Sequence, residues 1–162
     1  MRSILLAGCV AGLAFSVRAE DTAELAGKMK EAKVSLEKGI AATKSAGKAL
    51  SAKYEVENGK LQLSVYTAKG DSFSEVIVNH KTGKVAKTEP ITSGDDLTAA
   101  KSQNEAMSNA KTSLQTAVSK AVKATKGYKA VSATPSMKDG HPTADVTLLK
   151  GSDSKTVSEK LD

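Results

Sequence analysis

The clearest hydrophobic pattern in the chain is an alternation of apolar and polar side chains between positions 48 and 85. It runs through residues 50–56, 61–66 and 73–79, and the apolar positions of the first segment are Leu50, Ala52, Tyr54 and Val56. A period of two is typical of strands that turn one face to a core and the other to water. We predict an antiparallel β-meander, with a short fourth strand at Val85 and an end to regular structure at Pro90.

Turn signals separate these strands. Asn58-Gly59 is a strong hairpin signal, and Lys69-Gly70-Asp71 reverses the chain a second time. Thr82-Gly83 makes a third turn before the short fourth strand. We interpret Gly59, Gly70, Thr82 and Gly83 as turn residues that define the fold.

A helical period, with apolar residues three and four positions apart, precedes the meander and returns after it. The first helical segment begins at a capping box in residues 21–24 and ends at Gly47. The second extends from about Asp96 to about Thr125, with a bend near residues 102–104. The apolar stripes are narrow and rich in alanine, so each helix should depend on the sheet for its burial.

The two halves of the chain match each other at fixed offsets. One constant shift superposes Met29, Ser35 and Leu36 on Met107, Ser113 and Leu114. A slightly larger shift, which applies after the helices, superposes residues 48–52 on residues 129–133, and it carries Gly59 and Gly70 onto Gly140 and Gly151. The turn glycines thus fall on turn glycines.

We interpret this match as two copies of a helix followed by an antiparallel meander, an α+β fold with repeats at residues 20–91 and 92–162. Chance similarity between helices rich in alanine and lysine is the alternative. The second copy is degenerate, because Pro135 cannot donate a ladder hydrogen bond and should place its strand at an edge or delay its start. We expect the second copy to share one core with the first.

The segment 1–19 has the pattern of a signal peptide. Arg2 is followed by an uncharged apolar run over residues 4–15, and small residues around Arg18 predict cleavage before Glu20. A retained membrane anchor is a weaker alternative, because the run is shorter than the roughly 20 residues that span a bilayer. A lipoprotein box ending at Cys9 is a second alternative, although the apolar run continues beyond that cysteine.

Removing this segment leaves 22 lysines against 18 acidic residues, a net charge of +4, and no arginine, cysteine or tryptophan. Without arginine the mature chain lacks the planar side chain that reads guanine or holds phosphate in a bidentate manner. Without cysteine it has no disulfide framework. The lysines are interspersed with acids, so a solvated helix surface is favoured over nucleic-acid binding.

Few residues suggest a functional site. His80 and His141 occupy unrelated points of the two copies, and we expect both to be exposed turn residues rather than zinc ligands. Tyr54 shares the phase of Leu50 and should belong to the core. Tyr66 shares the phase of Ser64 and should face outward unless that face is covered, where it could contact a protein partner.

The first repeat resembles the PepSY domain, a family with a helix, a polar-glycine turn and a closing signature V-D-A-x-T-G-K-V. The resemblance covers about residues 29–87, with a weaker copy over about residues 107–160. Val78, Thr82, Gly83, Lys84 and Val85 match the closing signature. Asn79 and His80 depart from it, standing where the family prefers aspartate and a small residue, which leaves any role of that aspartate in doubt.

The resemblance implies a small antiparallel sheet against a helix, and a module that binds proteins or modulates peptidases in the bacterial envelope. We expect a periplasmic or secreted, non-enzymatic module without cofactor, nucleic acid or stable membrane insertion after cleavage. Its partner would be a secreted or periplasmic peptidase or another envelope protein. The alternative is a lysine-rich protein that adheres to anionic cell-surface polymer or lipid.

Overall fold

The computed structural model describes residues 19–162, so residues 1–18 of the predicted signal segment, including Cys9, lie outside the described residues. The helices are α1 (Ala19–Lys28), which continues as a 3₁₀ turn at Met29–Glu31, α2 (Leu36–Ala42), α3 (Gly94–Ser108) and α4 (Leu114–Ala124). The strands are β1 (Lys48–Glu57), β2 (Lys60–Lys69), β3 (Ser72–Val78), β4 (Val85–Ile91), β5 (Lys129–Lys138), β6 (His141–Lys150) and β7 (Asp153–Lys160).

All seven strands form one antiparallel sheet in the order β4-β3-β2-β1-β5-β6-β7. The α+β class and the two packed helix-and-meander units are as predicted from the sequence. The two units meet at β1 and β5, where Ala52 is paired with Ala133 and Lys53 with Ser132. Buried side chains from both halves belong to one hydrophobic core.

Helices cover both faces of the central strands. α2 lies on the face that carries Leu63, so closely that a Cβ at Gly39 would stand 2.5 Å from Leu63 Cδ2. α4 packs beside α2 and against β5 and β6. α3 lies on the opposite face, where Ser51 Oγ donates a 2.7 Å hydrogen bond to Gln103 Oε1. The expectation that this second face meets water is therefore wrong at the centre of the sheet.

Each predicted long helix is broken in two. The breaks are residues 32–35 and 109–113, and α3 runs straight through the bend predicted near residues 102–104. Ser35 and Ser113 cap the helices that follow, with Oγ accepting from the backbone N–H of Lys38 at 3.3 Å and of Thr116 at 3.1 Å. The apolar period continues across both breaks, which is why periodicity predicted one helix where the serine begins a new one.

One backbone carbonyl holds each break in place. The carbonyl of His80 accepts from Lys33 N at 2.9 Å and Val34 N at 3.0 Å, and that of Leu161 accepts from Lys111 N at 2.7 Å and Thr112 N at 2.8 Å. The donors Lys33 and Val34 correspond to Lys111 and Thr112 under the shift that aligns the helices of the repeat. The acceptor His80 corresponds to Leu161 under the shift that aligns the strands. The backbone therefore repeats this contact even though the side chains of His80 and Leu161 differ.

Both prolines expected to disturb strands lie inside them. Pro90 lies in β4, which continues to Ile91 and forms one edge of the sheet, where a missing donor is tolerated. Pro135 lies in β5, which is a central strand rather than an edge strand and begins at Lys129, well before the proline. It is accommodated because the paired residues between β1 and β5 end at Ala133, before the proline is reached.

The turn residues occupy the positions that the sequence indicated. Asn58 and Gly59 both have positive φ, 50° and 73°, as do their equivalents Asp139 and Gly140 at 51° and 79°. This pair of left-handed residues suits a tight hairpin between twisted strands. Gly70 and Gly151 lie in the second turn of each repeat.

The turn after β3 is organised by Asn79. Its Oδ1 accepts hydrogen bonds from the backbone N–H groups of Lys81 at 2.9 Å and Thr82 at 3.0 Å, and its carbonyl accepts from Gly83 N at 2.8 Å. Thr82 Oγ1 accepts from Lys84 N at 3.4 Å. An amide oxygen serves these contacts as well as a carboxylate would, so the asparagine keeps the turn intact.

Candidate binding site

Tyr66 lies between the sheet and α3 rather than in open solvent. Its hydroxyl donates a 3.3 Å hydrogen bond to Glu75 Oε1, and Lys53 Nζ is 5.8 Å from the ring centroid. Burial first, and then the negative charges of Glu75, Glu55 and Asp96, raise the pKa of this hydroxyl far above its ordinary value. It is therefore a neutral donor at physiological pH.

The space beside Tyr66 is too small for a ligand. The cavity that it shares with Ser51, Lys53, Gln103 and Thr134 has a volume of about 10 Å³, which is room for a single water molecule at most. In this fold the tyrosine therefore serves to pack α3 against the sheet. The tyrosine is only half-buried, so its contact with a protein partner stays a prediction.

Tyr54 belongs to the core, as its phase predicts. It is 3% exposed, and its hydroxyl donates a 2.5 Å hydrogen bond to the carbonyl of Val34 in the break between α1 and α2. Burial raises its pKa to about 12. This bond fixes the first helix break to the centre of β1.

The two histidines differ in their surroundings. His141 is exposed, and its Nδ1 lies 2.5 Å from Asp162 Oδ2. His80 is half-buried, and its Nδ1 is buried without a hydrogen-bond partner in the described part of the chain, so the expectation of an exposed turn residue is wrong there. Within residues 19–162, His, Cys, Asp and Glu side chains form no group of three or more placed to hold a metal ion.

An open cleft of about 610 Å³ lies at the end of the sheet where β1 begins and β2 ends. We call it the first cleft. Its apolar floor comes from Ile40, Ala68, Met107 and Leu114, and its rim carries Lys44, Lys48 and Lys69. Of the residues that the structure describes, no acidic one lines this cleft. These four apolar side chains are only 1–7% exposed, so the surface that the cleft presents to a ligand comes mainly from its lysines.

A second cleft repeats this arrangement at the opposite end of the sheet, where β5 begins and β6 ends. Its volume is about 220 Å³, and it too has no acidic lining residue within the described range. Its apolar residues are Ala26, Met29, Val131 and Leu149, and its lysines are Lys30, Lys129 and Lys150. Under the sequence repeat, Lys129 and Lys150 are the equivalents of Lys48 and Lys69, and Met29 is the equivalent of Met107.

The two clefts differ in lining as well as in size. Ala68 of the first cleft corresponds to Leu149 of the second, while Ile40 and Leu114 line only the first cleft and Ala26 and Val131 line only the second. Gly47 also lines the first cleft. A Cβ there would stand 2.4 Å from the carbonyl oxygen of Ala68, and the φ of +143° already disfavours a side chain.

None of the six cleft lysines forms an ion pair with a described residue. They share this property with most lysines of the chain, since within residues 19–162 the lysines that form ion pairs are Lys28, Lys53, Lys87 and Lys138. Lys48 Nζ donates a 2.5 Å hydrogen bond to the carbonyl of Met107 at the end of α3, which holds it over the floor. An ammonium has three donors, so two remain for a ligand.

Sequence reasoning missed both clefts, since each draws its lysines from distant segments. The sequence nevertheless indicates the clefts, because the shift that aligns the strands of the repeat places Lys48 on Lys129 and Lys69 on Lys150. Both repeats carry a lysine at the start of their first strand and at the end of their second, although a neighbouring residue changes from Ala68 to Leu149. This repetition distinguishes the four lysines from those scattered on helix surfaces.

Comparison with known proteins adds little to this geometry. No protein-family model and no curated protein matches the chain. Among solved structures, a candidate lipoprotein from Clostridium difficile 630 matches with a TM-score of 0.39 and 14% identity, over 74% of this chain and 79% of that chain. In the described part of this chain, no helix has the length and apolar character needed to cross a membrane.

Proposed function

We propose that the mature chain is an exported, non-enzymatic binding module that takes an anionic ligand at its lysine-rimmed clefts. The observation that carries the proposal is the pseudo-symmetric pair of clefts, each with three lysines outside any ion pair, an apolar floor and, within residues 19–162, no acid. A charge that the fold leaves uncompensated at a concave surface attracts oppositely charged ligands and speeds their association. The duplication of the arrangement supports a binding role over an accident of lysine content.

Export is supported by the segment 1–19, which combines Arg2, an apolar run and small residues before Glu20. The ligand would then be met in the periplasm or outside the cell. An anionic polymer or lipid of the cell surface has the charge that the clefts accept.

A peptidase or another envelope protein is the second candidate ligand. The observation that favours it is the turn at residues 79–84, whose hydrogen bonds give a structural reason for the PepSY-like signature. A protein partner held by apolar and backbone contacts would bind with little dependence on salt, whereas cleft lysines in water would be screened.

Salt dependence tests the proposal. Purified residues 20–162 are incubated with cell-envelope material at about 0.05 M and about 0.5 M salt, between which the Debye length falls severalfold. We expect retention at low salt, release at high salt and weaker retention of the triple variant Lys44→Gln, Lys48→Gln and Lys69→Gln. The matched control is a triple glutamine variant at Lys87, Lys101 and Lys120, which lie outside both clefts.

Equal retention of both triple variants would contradict a role for the first cleft. Salt-tolerant capture of one peptidase would instead favour the second candidate, and turnover of that peptidase's substrates by the purified chain alone would overturn the non-enzymatic assignment.

A further inference from the structure

We propose that two copies of the chain pair through the outer edges of their β7 strands, antiparallel and with Val157 of one copy opposite Val157 of the other. This pairing would join two seven-stranded sheets into one continuous sheet, with a two-fold axis at Val157. Neither cleft is lined by a residue of β7, which the structure describes in full, so the inference is independent of the proposed ligand.

The outer side of β7 is an open sheet edge. In the described part of the chain no strand pairs with it, whereas the equivalent strand of the first repeat, β3, has β4 on that side. The eight residues of β7 pair with β6 without a register shift. A regular edge strand of this kind presents a row of unpaired backbone groups to which a further strand can be added.

The backbone groups on the open side can be identified by alternation along the strand. The N–H of Leu161, directly after β7, donates to the carbonyl of Pro142 in β6 at 2.9 Å. In an antiparallel pair, successive residues alternate between bonding to the partner strand and pointing away from it. The residues of β7 whose backbone groups point away from β6 are therefore Ser154, Thr156, Ser158 and Lys160.

The other edge of the sheet, β4, is protected against such pairing. The N–H of Asn79 donates to the carbonyl of Lys84 at 2.8 Å, so odd-numbered residues of β3 point towards β4. Glu75 is one of them and is paired with Glu89, so the neighbouring Pro90 has its missing donor on the free edge. A register shift also interrupts the pairing of β3 with β4. Of the two edges, β7 is the one that is open to a partner.

Charge selects one register of the proposed pairing. Two free edges can bond only when even-numbered residues of β7 pair with even-numbered residues. With Val157 opposite Val157, Lys155 of each copy lies opposite Glu159 of the other. The next register in one direction sets Asp153 opposite Glu159, and like charges directly opposite each other are destabilising. The next register in the other direction sets Lys155 opposite Leu161 and forms no ion pair.

The charges of β7 are available for this pairing. Neither Lys155 nor Glu159 forms an ion pair within residues 19–162. Lys155 is exposed, with its Nζ 4.8 Å from the ring centroid of Tyr128. Lysines on an edge strand normally discourage association, but here each one would meet an acid at a pair position where opposite side chains approach most closely. The same charges therefore discourage other registers and favour this one.

The dimer should be weak. A strand edge of eight residues buries less than the roughly 1,200 Å² of a standard interface, so we expect a Kd of about 10–100 μM. The test is sedimentation equilibrium of residues 20–162 from about 1 μM to about 500 μM, a range that brackets this Kd. We expect monomer at the lowest concentration and dimer at the highest, without larger species, because a two-fold contact is closed.

Charge reversal tests the register. Lys155→Glu and Glu159→Lys each set like charges opposite each other, so each should weaken the dimer about tenfold or more. The two single variants should form a dimer when they are mixed, because every opposed pair then joins a lysine to a glutamate. The double variant, which exchanges the two charges within one chain, should dimerise as the unmodified chain does. Lys101→Glu, on the surface of α3, is the control and should not weaken the dimer.

A proline tests the edge itself. Thr156→Pro removes a donor from the open side of β7 and should abolish the dimer, with the circular dichroism spectrum confirming the fold. Thr88→Pro removes the equivalent donor from the free edge of β4 and is the matched control, which should leave the dimer intact. The charge variants keep the test decisive if either proline variant fails to fold.

Two results would overturn the inference. One is a chain that stays monomeric over the whole concentration range. The other is a dimer that is unaffected by the single charge reversals or is not restored by mixing them, because such a dimer would form through a different surface or in a different register.

Discussion

Ala52 and Ala133, which hold equivalent positions in the repeats, are paired with each other at the centre of the sheet. A residue that meets its own equivalent marks a local two-fold axis, so the halves are related as the subunits of a symmetric dimer are. Both side chains are almost completely buried, at 1% and 0% exposure. Small residues here allow helices to pack closely over the junction.

We expect Ala133→Val to destabilise the protein by about 1–3 kcal/mol, because the extra methyl groups have no space under the helices. Urea unfolding followed by circular dichroism measures the change. Ala86→Val, at an exposed position of the edge strand β4, is the control and should stay within about 0.5 kcal/mol of the unmodified chain. Equal effects at both sites would show that the junction is not tightly packed.

Gly39 and Gly27 provide a matched pair of helix glycines. Gly39→Ala would place a methyl group 2.5 Å from Leu63 Cδ2, whereas the same change at Gly27 meets no atom of the described chain within 4 Å. We expect Gly39→Ala to cost about 1–3 kcal/mol through overpacking, and Gly27→Ala to stabilise the protein by about 0.5–1 kcal/mol through helix propensity. Thermal unfolding of both variants tests the difference in sign, and stabilisation at both would refute the close approach of α2 to β2.

Leu161 and His80 have the same backbone role and different side chains. The Leu161 side chain is fully buried, at 0% exposure, so Leu161→Ala should cost about 2–5 kcal/mol. His80→Ala keeps the carbonyl that holds the first helix break and removes a buried nitrogen that has no partner among the described residues, so its cost should be below about 1 kcal/mol. Chemical denaturation of the two variants measures both losses of stability. A larger loss for His80→Ala than for Leu161→Ala would contradict the prediction.

The ion pair between Asp145 and Lys138 should make stability depend on pH. Partial burial alone would raise the pKa of Asp145, but hydrogen bonds from Lys138 and Ser158 outweigh it and hold that pKa below its ordinary value. A carboxylate with a lowered folded-state pKa stabilises the fold above the unfolded-state pKa of about 3.9, and the stabilisation is lost as the pH falls through the folded-state pKa.

Lys138→Met should therefore lower the free energy of unfolding at neutral pH, and its difference from the unmodified chain should shrink as the pH falls below about 4. Lys101→Met is the control for loss of one positive charge. A difference that grows on acidification would show that the pair does not favour the ionised carboxylate.

The strands and the repeat could be predicted from the sequence because their signals are local and redundant. Alternation, turn glycines and a constant offset all agreed over the stretch from Leu50 to Val78. The helix breaks were missed because apolar spacing continues through them, and what ends each first helix is a carbonyl from a distant position, His80 or Leu161. Periodicity carries no information about such a long-range acceptor.

The site was harder to predict than the fold. Tyr66 was singled out because its phase placed it on the polar face, but that phase could not reveal that α3 would cross this face and partly cover the tyrosine. Lys44, Lys48 and Lys69 looked like ordinary surface lysines until the fold brought them to one cleft. A cation's surroundings, rather than its presence, decide whether it can serve in binding.

Each cleft takes its paired strand ends from one repeat and a methionine from the other. The first joins Ala68 to Met107, and the second joins Leu149 to Met29. Neither pocket could therefore have existed in an ancestral single unit acting alone. Duplication and fusion of the gene would have created both clefts together with the shared core. The two clefts would then have been free to diverge in sequence.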